Sequence, residues 1–125
     1  MFVANEKEVI NLNLVRCVQF FSNDNPVIRL NIDEKKYALL RFSDKTSFAE
    51  AQEEIINMLN NVSPSWKLIS RDLFVRTDKL QYANTYGAKF TMFFDTGMVQ
   101  TTHKNVDILM ETLADVTRAF YLEEI

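Results

Sequence analysis

Ala88-Lys89-Phe90-Thr91-Met92-Phe93-Phe94-Asp95-Thr96-Gly97-Met98-Val99-Gln100-Thr101-Thr102, followed after two residues by Asn105 and the run Val106 to Phe120, is the stretch from which the fold is read. Side chains alternate across a strand, so Phe90, Met92 and Phe94 share one face. Asp95-Thr96-Gly97 reads as a hairpin turn in which the glycine supplies a positive φ, and Met98 to Thr102 returns antiparallel. Asn105 is a natural N-cap, with Asp107 placed to meet the unpaired amides of a first helical turn. Val106, Leu109, Leu113, Val116 and Phe120 then recur at helical spacing. Strands lead into a helix.

Upstream, the same plan occurs once before. Val9 to Phe42 reads as strands. Val15 to Phe21 is β-branched and aromatic, and Ser22-Asn23-Asp24-Asn25-Pro26 punctuates it. Val27 to Ile32 alternates with Ile28, Leu30 and Ile32 on one face, Asp33 to Lys36 makes a polar turn, and Tyr37 to Phe42 is the next strand. Ser47-Phe48-Ala49-Glu50 fits a capping box with Ser47 as the N-cap. The helix it opens carries Phe48, Ala51, Ile55, Leu59 and Val62 along one stripe and stops at Ser63-Pro64. Leu73 to Arg76 and Leu80 to Tyr86 add strands in between. Residues 9–62 and 73–122 therefore show related apolar patterns at low identity. The fold class predicted is α+β: a mainly antiparallel sheet with two principal helices, the two strand-rich halves merged into one sheet within one domain spanning residues 1–125.

A chain of 125 residues suits one domain, and a hydrophobic fraction of 47% with ten Phe favours a packed interior over disorder. The net charge of −3 and pI near 5.1 argue against a sequence-independent grip on phosphate backbones. The lone Cys17 rules out an intrachain disulfide and suits a reducing compartment. The first ten residues carry Glu6, Lys7 and Glu8 where a signal peptide needs an apolar run, and no apolar run approaches a membrane span. The location expected is the cytoplasm, with no membrane partner.

The residues exclude most chemistry. A structural metal of the usual kind needs three or four His and Cys ligands, and the chain offers only His103 and Cys17. Cys17 lies mid-strand between Val15 and Val18, where a thiol packs as a small apolar group and not as a nucleophile for His103. Two separated glycines build no phosphate-binding loop. Glu34-Lys35-Lys36 sits in a turn without the converging carboxylates that a nuclease metal requires. The expectation is a protein with no metal, no cofactor and no catalytic residues.

Two surfaces remain. Phe20 and Phe21, Leu39 and Leu40, and Phe93 and Phe94 are large apolar neighbours, and adjacent strand residues point to opposite faces. A second apolar face containing Phe21 and Phe93 would then call for a partner. On this ground the first reading is a non-catalytic protein-binding or regulatory module, a homodimer, of a size and Asn-rich composition that fit an accessory protein of a phage or mobile element. The alternative lies in residues 66–94, where five bases stand against two acids, a net +3, interleaved with aromatics. Lys67, Arg71, Arg76, Lys79, Tyr82, Tyr86 and Lys89 would there grip a single-stranded nucleic acid by phosphate contact and base stacking. A third reading is a small-ligand protein or enzyme with a pocket between helix and sheet, built from Tyr82, Tyr86 and Arg76.

Overall fold

The computed structural model describes residues 1–121, so residue 122 at the end of the second related stretch lies outside the described part. A two-stranded ribbon of β1 (Phe2–Ala4) and β2 (Val9–Asn11) opens the chain. Three strands follow, β3 (Cys17–Phe21), β4 (Val27–Asn31) and β5 (Tyr37–Arg41), and then helix α1 (Lys45–Val62). After β6 (Trp66–Ser70) and β7 (Leu73–Arg76) come β8 (Leu80–Tyr86), β9 (Lys89–Phe94), β10 (Gly97–Thr102) and helix α2 (Val106–Thr117). Every ladder is antiparallel, and the fold is α+β with two helices among the described residues.

The strands do not merge into one sheet. β3 is paired on both edges, to β4 and to β7, and β6 extends the latter side to give the order β5-β4-β3-β7-β6. With β3 flanked, β8–β10 form a sheet of their own in the order β10-β9-β8. β6 was not foreseen, because Trp66 to Ser70 is short and lacks clean alternation.

Helix α1 begins two residues before the expected cap. Asp44, in extended geometry, accepts from the Ser47 amide at 2.7 Å and from the Ser47 hydroxyl at 3.1 Å, so Asp44 is the N-cap and Ser47 stands at the third helical position. These two hydrogen bonds hold the Asp44 carboxyl below its ordinary range. In α2 the stripe of Val106, Leu109 and Leu113 is buried, and Asp107 lies in the first turn. Phe120 does not continue it: Arg118 turns left-handed (φ 56°) and ends the helix, leaving Phe120 almost fully exposed.

Two apolar clusters lie on opposite faces of the five-stranded sheet. Val18, Phe20, Ile28, Leu30 and Phe74 point to one face, where Phe48, Ile55 and Leu59 of α1 cover them. Cys17, Leu73 and Val75 point to the other, where they meet Phe90, Met92 and Phe94 of β9 and Leu109 and Leu113 of α2. Over β4 and β5 that second face is mixed, with Arg29, Asn31, Tyr37 and Arg41 beside half-buried Val27 and Leu39. Arg29 donates to Asn31 at 2.7 Å, Asn31 donates to Gln19 at 3.1 Å, and the Arg29 guanidinium lies 3.8 Å over the Tyr37 ring.

This arrangement corrects the reading of a protein-binding homodimer. Most of the second apolar face on which that reading rested is covered inside the chain, by the other sheet and α2, and the remainder carries the Arg29–Asn31–Gln19 network beside Phe21, Val27 and Leu39. Adjacent apolar residues such as Phe20 and Phe21 therefore do not require a second molecule. Phe20 is buried against α1, whereas Phe21 lies on the opposite face, part exposed, at the end of β3.

Candidate nucleic-acid interface

The three-stranded sheet has one covered face and one open face. Phe90, Met92 and Phe94 point inward, so the odd-numbered residues of β9 point outward, and the registers of both hairpins build three cross-strand rows on the outer face. Tyr82, Phe93 and Met98 form the first row, Asn84, Thr91 and Gln100 the second, and Tyr86, Lys89 and Thr102 the third. Neighbouring rows are about 7 Å apart, two strand residues.

The outward aim of Tyr82 depends on an irregularity. Strict alternation along β8 puts Leu80 and Tyr82 on one face. The register shifts between them, so Leu80 pairs with the inward Phe94 and Tyr82 with the outward Phe93. One extra residue, Gln81, thus places an aliphatic side chain toward the core and an aromatic one toward solvent, as a β-bulge does. The Tyr82 and Phe93 rings stand 5.6 Å apart at an interplanar angle of 48°. Tyr82 is 58% and Tyr86 86% exposed, and Phe93 is half-buried. In the middle row Gln100 donates to the Thr91 hydroxyl at 2.9 Å while Asn84 stays exposed. Lys79, half-buried near Asp78 and Asp95, lies just before β8, and Lys89, which opens β9 opposite Tyr86, lies at the other end of the face.

The scaffold under this face is fixed at its hairpin end. Gly97 has φ 143°, and a Cβ there would come 2.8 Å from the Asp33 Cβ, so this position requires glycine for both geometry and space. Thr96 donates its hydroxyl to the Ile32 carbonyl at 2.7 Å, the Glu34 amide donates to the Met98 carbonyl at 2.9 Å, and the Gln100 amide donates to the Glu34 carboxylate. The turn between β4 and β5 thereby covers the edge of β10. Across the other side of the hairpin, Arg16, itself buried, donates to Asp95 at 2.7 and 3.1 Å and to the Asn13 carbonyl at 2.7 Å. The Arg16 hydrogen bond holds the Asp95 carboxyl below its ordinary range.

Of the seven residues proposed from sequence for a nucleic-acid face, the structure unites Tyr82, Tyr86 and Lys89 on the outer face, with Lys79 at its margin. Lys67 and Arg71 are exposed on β6 and in the turn after it, and α2 packs against both β6 and β8. Arg76 is engaged elsewhere, paired with Asp78 at 3.0 Å and donating to the Asn13 carbonyl at 3.2 Å. Burial opposes ionisation of Asp78, but hydrogen bonds from Ser65 and Arg76 outweigh it and lower its pKa. Phe93, named from sequence as a partner contact, lies in the first row. Phe21 is on the other sheet. Asn84, Thr91, Met98, Gln100 and Thr102 were missed by sequence reasoning; the signal was there in the residues alternating with Phe90, Met92 and Phe94.

The third reading does not find its pocket. Tyr82 and Tyr86 stand on an open face and Arg76 is held by Asp78 and Asn13. A groove of about 1030 Å³ lies elsewhere, between the β1–β2 ribbon, β5 and α1, with Leu40, Ile55 and Met58 along it. Cys17 is fully buried, and that burial pushes its thiol far above the usual range. His103 uses Nδ1 to accept from the Asn105 amide at 2.9 Å. Among the described residues no three His, Cys, Asp or Glu gather as a metal site would need, and no helix is long and apolar enough to cross a membrane.

No protein-family model matches the chain, and no curated protein sequence matches it. Among solved structures, it is similar to the LytTr DNA-binding domain of a putative methyl-accepting/DNA response regulator from Bacillus cereus. The two share 12% identity over 90% of this chain and 94% of that one, with a TM-score of 0.47. That neighbour is a DNA-binding domain, whereas the first reading from sequence made this chain a protein-binding module. At this level of likeness no function passes from one protein to the other.

Proposed function

We propose that this protein binds single-stranded nucleic acid on the outer face of β8–β10, without catalysing a reaction. The observation that carries the proposal is the exposed pair of tyrosines, Tyr82 and Tyr86, on a sheet face whose opposite side is already packed. Aromatic side chains held on a rigid sheet stack bases, and each such contact typically contributes about 1–3 kcal/mol. Lys79 and Lys89 supply the phosphate contacts at the two ends. The overall charge of −3 fits a binder that relies on stacking more than on charge. A nucleic-acid ligand and a single reduced cysteine both suit the cytoplasm.

Fluorescence anisotropy with labelled single-stranded oligonucleotides at several salt concentrations tests this. With two lysine contacts, the logarithm of affinity should fall against the logarithm of salt with a slope of about −1.4, far shallower than for a basic groove. Tyr82→Ala and Tyr86→Ala should each weaken binding roughly tenfold or more. Absence of binding at low salt, or equal binding by the folded tyrosine variants, would falsify the proposal.

A further inference from the structure

The middle row of the outer face has a chemistry different from its neighbours. Tyr82, Phe93 and Met98 on one side, and Tyr86 and Lys89 on the other, offer ring faces, a thioether and a cation, none of which distinguishes one base from another. Between them, Asn84 and Gln100 offer side-chain amides on either side of Thr91, which is buried in the central strand. The Gln100 amide is tied by its nitrogen to Thr91. Asn84 is exposed on β8, the outer strand, two residues from a tyrosine on each side. A base stacked on either tyrosine brings its edge toward this amide.

Resting on the nucleic-acid reading above, we propose that Asn84 reads the edge of a base stacked on Tyr82 or Tyr86, and that the base preferred is adenine. An amide presents one donor beside one acceptor. Adenine presents the complementary pair, an amino group beside a ring nitrogen, on both of its hydrogen-bonding edges. Guanine offers a matching pair on its Watson–Crick edge, but its Hoogsteen edge carries two acceptors and its remaining pair, N2–H beside N3, lies on the sugar edge against the backbone. Cytosine, thymine and uracil each have one such edge. Adenine therefore satisfies Asn84 in either orientation on the ring, and as a purine it also presents a large face for stacking. Gln100, held by Thr91, leaves its carbonyl oxygen as a further acceptor for an amino group.

The test uses the full chain and dodecamers of deoxyadenosine, deoxycytidine, deoxythymidine and adenosine, each titrated by anisotropy. The deoxyadenosine strand should bind roughly tenfold tighter than the pyrimidine strands, the discrimination that one bidentate amide–base contact supplies. Asn84→Ala should bring all DNA strands to within about twofold of one another. Asn84→Asp, which keeps the shape and removes the donor, should abolish the advantage of the deoxyadenosine strand over the deoxycytidine strand, since a carboxylate accepts from either amino group, with unchanged thermal midpoints showing that both variants fold. The adenosine strand decides between DNA and RNA as the source of the base. Strands that all bind equally to the parent, while Tyr82→Ala still weakens them, would overturn adenine reading and leave the stacking face in place. A preference that survives in both Asn84 variants would also overturn it. No binding by any strand removes both proposals together.

Discussion

The two meanders of this chain, β3–β4–β5 leading to α1 and β8–β9–β10 leading to α2, have the same order and pairing but opposite exposure. In the first, one face is sealed by α1, and the other is shared between the second sheet and the Arg29–Asn31–Gln19 network. In the second, the inner face is sealed by α2 and the first sheet, while the outer face carries Tyr82, Asn84, Tyr86, Phe93 and Met98 toward solvent. Most large side chains on the first meander are needed to hold the fold, Phe21 and Tyr37 being exposed. Tyr82 and Tyr86 on the outer face of the second are exposed, and the proposed stacking of bases would give them a role other than packing.

The comparison breaks most readily at the sealed faces. Phe90 is fully buried at the centre of the second cluster, and Phe90→Ala should cost about 3–5 kcal/mol by urea unfolding. Leu59→Ala on the first cluster should cost about 2–5 kcal/mol. A midpoint unchanged by either would mean that its cluster is not the core described here.

The joint between the meanders comes next. Asp95→Ala removes both hydrogen bonds to the buried Arg16 guanidinium, and a loss of about 2 kcal/mol is expected. Because the Asp95 pKa is lowered in the folded state, its contribution is complete above the unfolded carboxylate value near pH 4. It should fade as the pH falls from there through the folded value. The gap in thermal midpoint between the parent and the Asp95→Ala chain should accordingly narrow on acidification below about pH 4, and a gap that does not narrow would contradict the pairing.

Asp44→Ala tests the corrected cap and should lower the thermal midpoint, with Ser47→Ala lowering it less. Tyr86→Ala sharpens the comparison from the other side. It removes a large aromatic from the open face, yet the thermal midpoint should move by no more than a surface substitution does, about 0.5 kcal/mol. A cost comparable to Leu59→Ala would mean that Tyr86 belongs to the core.

Alternation and helical spacing made both meanders, both helices and the Gly97 hairpin legible, because each is a local rule acting on neighbouring residues. The sheet boundary was not legible. Whether β8 joins β3 or begins a second sheet depends on β7 taking the edge of β3, a pairing between Cys17–Gln19 and Leu73–Val75 that no local pattern encodes. The site was half legible for a similar reason. Tyr82, Tyr86 and Lys89 were found as aromatic and basic residues, but Arg76 was included with them because sequence does not show its Asp78 and Asn13 partners. The middle row escaped notice because attention to the apolar residues of β9 leaves out the ones between them. Gln81 matters most here: a one-residue bulge reverses the facing of Tyr82 relative to Leu80, and only the register with β9 reveals it.

The burial of Cys17 has a practical consequence for chemistry done on this protein. Reagents that modify cysteine attack through the thiolate, and a thiol sealed at the junction of the sheets with a strongly raised pKa offers them almost none. Since the chain has no other cysteine, Thr102→Cys would introduce one accessible sulfur at the margin of the outer face, on a native background already silent toward labelling. A fluorophore or spin label attached there would report what approaches the three rows, without any prior removal of the native thiol.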